Sequence, residues 1–148
     1  MIPMPKTIHQ SVTLPAPAGK LYHMYLDPAA HEAITGYPVT ISREPGSAFR
    51  AFDDMLSGKT LYTIPKRVIV QSWRGHHWKP EDIDSTLVLT FWPEGESGRI
   101  ELVHVNVADH DYEEVNKGWK KYYWEPWREY LDKTRSESTE KSRASRAA

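Results

Sequence analysis

Residues 118–131 read GWKKYYWEPWREYL, and six of these fourteen positions are aromatic: Trp119, Tyr122, Tyr123, Trp124, Trp127 and Tyr130. What those rings face decides how the chain folds. With Val115 at 0° and a step of about 100° per residue, Tyr122, Val115, Pro126, Trp119, Tyr130 and Tyr123 fall within an arc from about 340° to 80°. That arc is a core-facing stripe. Trp127, Leu131 and Trp124 widen it to about 180°, roughly twice what a one-sided surface helix needs. The helix is therefore expected either to lie deep against a sheet or to show a flank of Trp124 and Trp127 to a partner. Pro126 lacks a backbone donor and crowds the carbonyl of Tyr122, so a bend is expected there.

Upstream of this helix the pattern is one of short extended segments separated by Gly and Pro, at about 38–43, 47–53, 57–64, 67–74, 85–92 and 99–107. Separators such as Glu44-Pro45-Gly46 and Glu94–Gly98 are hairpin-sized, so consecutive strands should pair antiparallel. A first strand is expected over KTIHQSVTL (6–14), ending at Pro15-Ala16-Pro17. Two short helices follow it. Leu21, Met24 and Tyr25 fall at i, i+3 and i+4, Asp27-Pro28 breaks the first helix and caps the second, and Gly36 ends the second. The sum is an α+β domain: a curved antiparallel sheet of about seven strands around a long C-terminal helix, with any leftover space between them forming a cavity.

One domain is expected over residues 1–133, since 148 residues bury a single core comfortably. The remainder, 134–148, has no apolar periodicity and is expected to be disordered. Lys plus Arg number 19 and Asp plus Glu 20, which argues against partners recognised by phosphate charge, whether nucleic acid or an anionic membrane. The absence of cysteine removes disulfides, thiolate metal sites and thiol nucleophiles, and the cytoplasm is the default compartment.

Several polar residues invite a chemical reading. His76-His77 beside Trp78 lacks a third ligand at a recognised spacing, so no metal is expected. Asp109-His110-Asp111 has no accompanying nucleophile and reads as a strand-to-helix turn, with Asp109 or Asp111 capping the helix. In RIELVHVNV (99–107) strict alternation puts Ile100, Leu102, His104 and Asn106 on one face. Either a bulge shifts the phase near Val103, or His104 and Asn106 point into a cavity. No catalytic set and no cofactor are expected.

Four stretches, LYHMYLDPAAHEAIT (21–35), VIVQSWR (68–74), STLVLTFWPEGESGRIEL (85–102) and GWKKYYWEPWREYL, together resemble the C-terminal domain of the activator of heat-shock protein 90 ATPase and its stand-alone bacterial relatives. This family lies in the START-like (SRPBCC) superfamily, and the resemblance covers about residues 8–131. It implies the helix-grip fold, and a cavity between sheet and helix more strongly than a reaction. The eukaryotic activator carries an additional N-terminal domain that makes much of its chaperone contact, whereas this sequence begins directly with the START-like domain. The first expectation is therefore a non-catalytic domain binding an apolar or aromatic small molecule. Candidate cavity residues are Tyr25, Phe49, Tyr62, Trp73, Trp78, His104, Trp119 and Tyr123. The alternative is an interaction module of the co-chaperone type, meeting a chaperone or a second copy of the chain through Trp124 and Trp127. An enzyme acting on a hydrophobic substrate ranks third.

Overall fold

In the computed structural model, which describes residues 4–135, the chain runs β1 (Lys6–Leu14), α1 (Ala18–Leu26), α2 (Pro28–Thr35), β2 (Ala48–Ala51), β3 (Leu56–Ile64), β4 (Val68–Gly75), β5 (Ser85–Glu94) and β6 (Ser97–Val107). A 3-10 turn (Asp109–Asp111) then leads into α3 (Tyr112–Trp119), a π-helical turn (Lys120–Trp124) and further helix over residues 125–135. The helix thus runs two residues past the expected domain boundary at 133, and the rest of the expected tail, 136–148, lies outside the described residues. The sheet order is β1-β6-β5-β4-β3-β2, antiparallel throughout. This is the α+β helix-grip arrangement that the pattern of elements implied.

The caps of α2 follow the sequence closely. The Asp27 carboxylate accepts from the Ala30 amide at 3.1 Å, Pro28 takes the first turn, and Gly36 closes the helix at φ 83°. Helix α1 lies over β5 and β6, and it comes close because β6 carries Gly98: a Cβ there would stand 2.7 Å from Leu21 Cδ1 and 2.8 Å from the Ala16 carbonyl.

Among the described residues the sheet has six strands where about seven were expected. The segment expected as a strand at 38–43 contributes a single bridge, Thr40 to Arg50. Its neighbour β2 is too short to template more, because Phe52, Asp53 and Asp54 all turn left-handed (φ 53°, 54° and 65°) and end that strand. The carbonyls of Ser42 and Arg43 are satisfied instead by the hydroxyls of Thr60 (2.7 Å) and Thr63 (3.3 Å).

A bulge does interrupt β6, two residues beyond Val103. Lys6 pairs with Val107 and Ile8 with His104, so one residue of β1 faces two of β6, and Asn106 takes φ 61°. Asn tolerates that conformation. Val107 thereby returns to the buried face, Asn106 turns out to solvent, and His104 stays on the inner face with no exposure.

The C-terminal helix departs most from expectation. Where a bend was expected at Pro126, the turn before it widens: the Glu125 amide donates to the Lys120 carbonyl, five residues back. Pro126 has no amide to continue an i→i−4 ladder, and a π turn is one way a helix absorbs that gap. It holds about one residue more than an α turn, so everything after it is rotated back by roughly 100° relative to a uniform projection. Trp127 and Trp124 swing into the core, where Trp127 is fully buried and Trp124 nearly so. Tyr122 swings out and is 46 % exposed. The expected partner surface of Trp124 and Trp127 is therefore interior, and a ring assigned to the core stripe is on the surface. Trp119, Trp124 and Trp127 form a run of parallel indoles, with centroids 5.7 and 6.4 Å apart and planes within 24°.

Candidate functional site

Between the sheet and the C-terminal helix, six of the eight candidate wall residues make one chain of ring contacts. Trp78 meets Trp73 (centroids 5.7 Å), Trp73 meets His104 (4.7 Å) and Trp119 (6.5 Å), Trp119 meets Tyr123 (4.9 Å), and Tyr123 meets Tyr25 (6.1 Å). Strand alternation explains the sheet's contribution: Gln71 and Trp73 on β4 share a face, and Ser85 and His104 on β5 and β6 share it too. Phe49 on β2 is fully buried in the same core. Tyr62 is not; it is 55 % exposed on β3, after a register shift between Thr60 and Tyr62.

The polar groups among these rings are wired in sequence. The Ser85 hydroxyl donates to the Trp73 carbonyl (2.6 Å), which leaves Ser85 Oγ free to accept from His104 Nε2 (2.8 Å). His104 Nδ1, bare in that tautomer, accepts from Trp119 Nε1 (3.2 Å). His31 of α2 is fixed likewise: Nδ1 donates to the Tyr25 carbonyl (2.7 Å), and Nε2 accepts from the Tyr123 hydroxyl (3.0 Å). Burial lowers both imidazoles, His104 to about 3 and His31 to about 4, although the Tyr25 carbonyl works against it at His31. Both are neutral in the folded protein. Burial likewise raises the phenols of Tyr25 and Tyr123, with the neighbouring Tyr123 adding to the effect at Tyr25.

Among the described residues three donors in the core are left over, one of them Trp127 Nε1. The Tyr25 hydroxyl donates to Gln71 Oε1 (2.7 Å), while Gln71 Nε2 and Trp73 Nε1, both buried, have no partner. Turning the Gln71 amide over would only exchange which of its polar atoms is unpaired. His31, Gln71 and Ser85 are the members of this network that the candidate set lacked. Their single signal in the sequence is a polar residue on an otherwise apolar face.

Trp78 also ties the ring chain to the loop after β4. Trp78 Nε1 donates to Asp111 Oδ2 (2.8 Å), and the other Asp111 oxygen lies 3.3 Å from His77 Nε2. Asp111 makes no side-chain cap on α3, nor does Asp109, which pairs with Lys6 at 3.1 Å. His110 sits 2.7 Å from Asp82, and this hydrogen bond is the main cause of the lowered Asp82 pKa. Among the described residues no group of three or more His, Asp or Glu is placed to hold a metal ion.

On the outside, Phe52 packs against Tyr37 (5.4 Å) and Tyr122 (5.6 Å), and underneath against Tyr123 (5.8 Å). Tyr37 and Tyr122 are each nearly half exposed. Phe52 opens the left-handed turn, a conformation that costs non-glycine residues roughly 1–2 kcal/mol each. Around the helix from this patch runs an open groove of about 560 Å³ between β1 and the π turn, lined by Gln10, Asn116, Trp124 and three lysines among others. A second open groove, about 360 Å³, lies near Pro17 and Lys66. Neither groove is lined by the interior ring chain.

No helix among the described residues is long and apolar enough to cross a membrane. The chain is 29 % identical over 119 residues to an uncharacterized protein of Schizosaccharomyces pombe, covering 80 % of this chain and 35 % of that protein. It spans about a third of the length of that curated relative. Among solved structures, a protein of Mesorhizobium loti superposes with a TM-score of 0.76 at 19 % identity (87 % of this chain, 98 % of the other). An HSP90 activator from Plasmodium falciparum gives 0.73 at 18 % identity (82 % and 91 %). An Aha1 dimer from Colwellia psychrerythraea gives 0.68 at 14 % identity (79 % and 90 %). Residues 15–132 match the family described as Activator of Hsp90 ATPase homolog 1-like protein, and the chain belongs to that family.

Proposed function

We propose that this domain is a cytoplasmic, non-catalytic interaction module of the Hsp90 ATPase-activator type, meeting its partner through the outward face of the π turn. The observation that carries the reading is the pair of exposed rings Tyr37 and Tyr122 packed on half-buried Phe52, held out by a left-handed turn and a widened helical turn. Both conformations cost free energy, and such strain concentrates where function requires a particular surface. Family membership supplies the partner class. Purified Hsp90, titrated with this protein in a calorimeter and assayed for ATP turnover, should bind it and turn over faster. Tyr122→Ala should weaken that binding about tenfold or more, as for an aromatic anchor, while moving stability by no more than about 0.5 kcal/mol. An unchanged ATPase rate with no heat of binding would end the proposal. Concentration-dependent sedimentation, abolished by Tyr122→Ala, would make the partner a second copy of the chain.

A second reading has its own observation. The unpaired donors of Gln71 and Trp73, in a chain of rings that includes Tyr25, His104, Trp119 and Tyr123, suit an apolar or aromatic small molecule carrying one hydrogen-bond acceptor. Native mass spectrometry of freshly purified protein tests it. A bound mass that Gln71→Leu abolishes supports the ligand, and bare protein alone removes it.

A further inference from the structure

The groove between β1 and the C-terminal helix is lined by Gln10, Ser11, Asn116, Lys117, Lys120, Lys121, Trp124 and Glu125. Its floor is cross-linked by its own polar groups, and Ser11 Oγ at its edge donates to Glu101 Oε1 (2.9 Å). Gln10 Nε2 donates to the Asn116 carbonyl (2.7 Å) and to Asn116 Oδ1 (2.8 Å), and Gln10 Oε1 accepts from Trp124 Nε1 (2.8 Å). The charged groups left to meet a ligand are three ammonium heads and one carboxylate. Lys120 makes only a loose, exposed pair with Glu125 at 3.9 Å, and Lys121 lies over the Tyr122 ring at 5.1 Å. Lys117 makes no ion pair among the described residues.

This positive excess is local, since the chain as a whole carries a formal charge of −1. Lys117 stands at i−3 from Lys120 and i−4 from Lys121, spacings at which like charges destabilise a helix. The π turn turns Lys120, Lys121 and Tyr122 outward together, and Tyr122 continues the lysines into the Phe52 and Tyr37 rings.

We infer that the groove takes an acidic peptide segment of a partner protein, with carboxylates on Lys117, Lys120 and Lys121 and an apolar side chain against Tyr122 and Phe52. The inference rests on the interaction reading above and adds the partner's chemistry. Charge complementarity selects the occupant. The chain's own residues 136–148 hold Glu137 and Glu140 against Lys141, Arg143 and Arg146, a net positive charge of the wrong sign. A nucleic acid fits less well, because its binding rests on many phosphate contacts and the chain as a whole carries no positive excess.

The test is fluorescence anisotropy with a fluorescein-labelled peptide of alternating Glu and Asp around a central Phe, beside a control in which Gln and Asn replace the acids. The acidic peptide should bind saturably, more weakly as salt rises, and the control should not. A Lys120→Glu, Lys121→Glu double variant, with its thermal unfolding unchanged, should weaken binding about tenfold or more. Equal binding of the control, full binding by the double variant, no saturation, or displacement by an equal concentration of inorganic phosphate would each overturn the inference. Hsp90 binding that survives the double variant but not Tyr122→Ala ends the groove and keeps the module. Peptide binding without Hsp90 binding does the reverse.

Discussion

Between about pH 6.5 and pH 3 the domain should lose most of its stability, and two buried histidines should account for the steep part of the loss. Above about pH 6.5 His31 and His104 are neutral in both folded and unfolded chains, so no protons are exchanged on unfolding and their contribution is fully present. Below that pH the unfolded chain protonates both, while the folded chain resists until about pH 4 for His31 and about pH 3 for His104. Stability therefore falls as pH falls, by about 1.4 kcal/mol per pH unit for each histidine. Over the window this amounts to roughly 3 kcal/mol for His31 and 5 kcal/mol for His104, against a total of about 5–15 kcal/mol for a domain of this kind. Geometry gives the same direction: a proton on His104 Nδ1 would point at the Trp119 N–H that now donates to it. Urea titrations at a series of pH values measure the slope. His104→Gln should cut it from about 2.7 to about 1.4 kcal/mol per unit between pH 4.5 and 6. An unchanged slope would show that His104 is not a buried neutral base.

Trp119→Ala should cost about 3–5 kcal/mol, the range for truncating a buried aromatic residue. Trp119 is 3 % exposed, stacks on Trp124, touches Tyr123 and Trp73, and among the described residues supplies the only donor to His104 Nδ1. Its removal opens a void at the middle of the ring chain and leaves a buried acceptor unpaired. Trp119→Phe separates the two contributions, since it keeps most of the apolar area and loses the donor. Chemical denaturation followed by circular dichroism gives both values. A loss below about 1 kcal/mol for the alanine variant would mean that the indole is not part of the core.

The order of elements, the hairpins and the caps of α2 were legible because each rests on neighbours in the chain. Asp27, Pro28 and Gly36 act within a few residues of themselves, and alternation along β4, β5 and β6 needs only a period of two. The family resemblance pointed the same way. The inner ring chain was legible in part, since Trp73, His104 and Trp119 could be placed on inward faces. Their polar partners were not. His31 meets Tyr123 across 92 residues and Tyr25 meets Gln71 across 46, and nothing local marks such pairs.

Pro126 marked the place where the C-terminal helix had to change but not the direction of the change. A bend would have kept Tyr122 inside, whereas a π turn rotates it out and draws Trp124 and Trp127 in. Both remedies relieve the same missing hydrogen bond, so the choice between them falls to the packing of indoles on the sheet. In GWKKYYWEPWREYL the sequence by itself determined that the helix would be ring-rich and would lie against a sheet, because composition and period are local. Only the tertiary structure decided which rings are core and which are surface, because a single additional residue in one turn resets every angle after it.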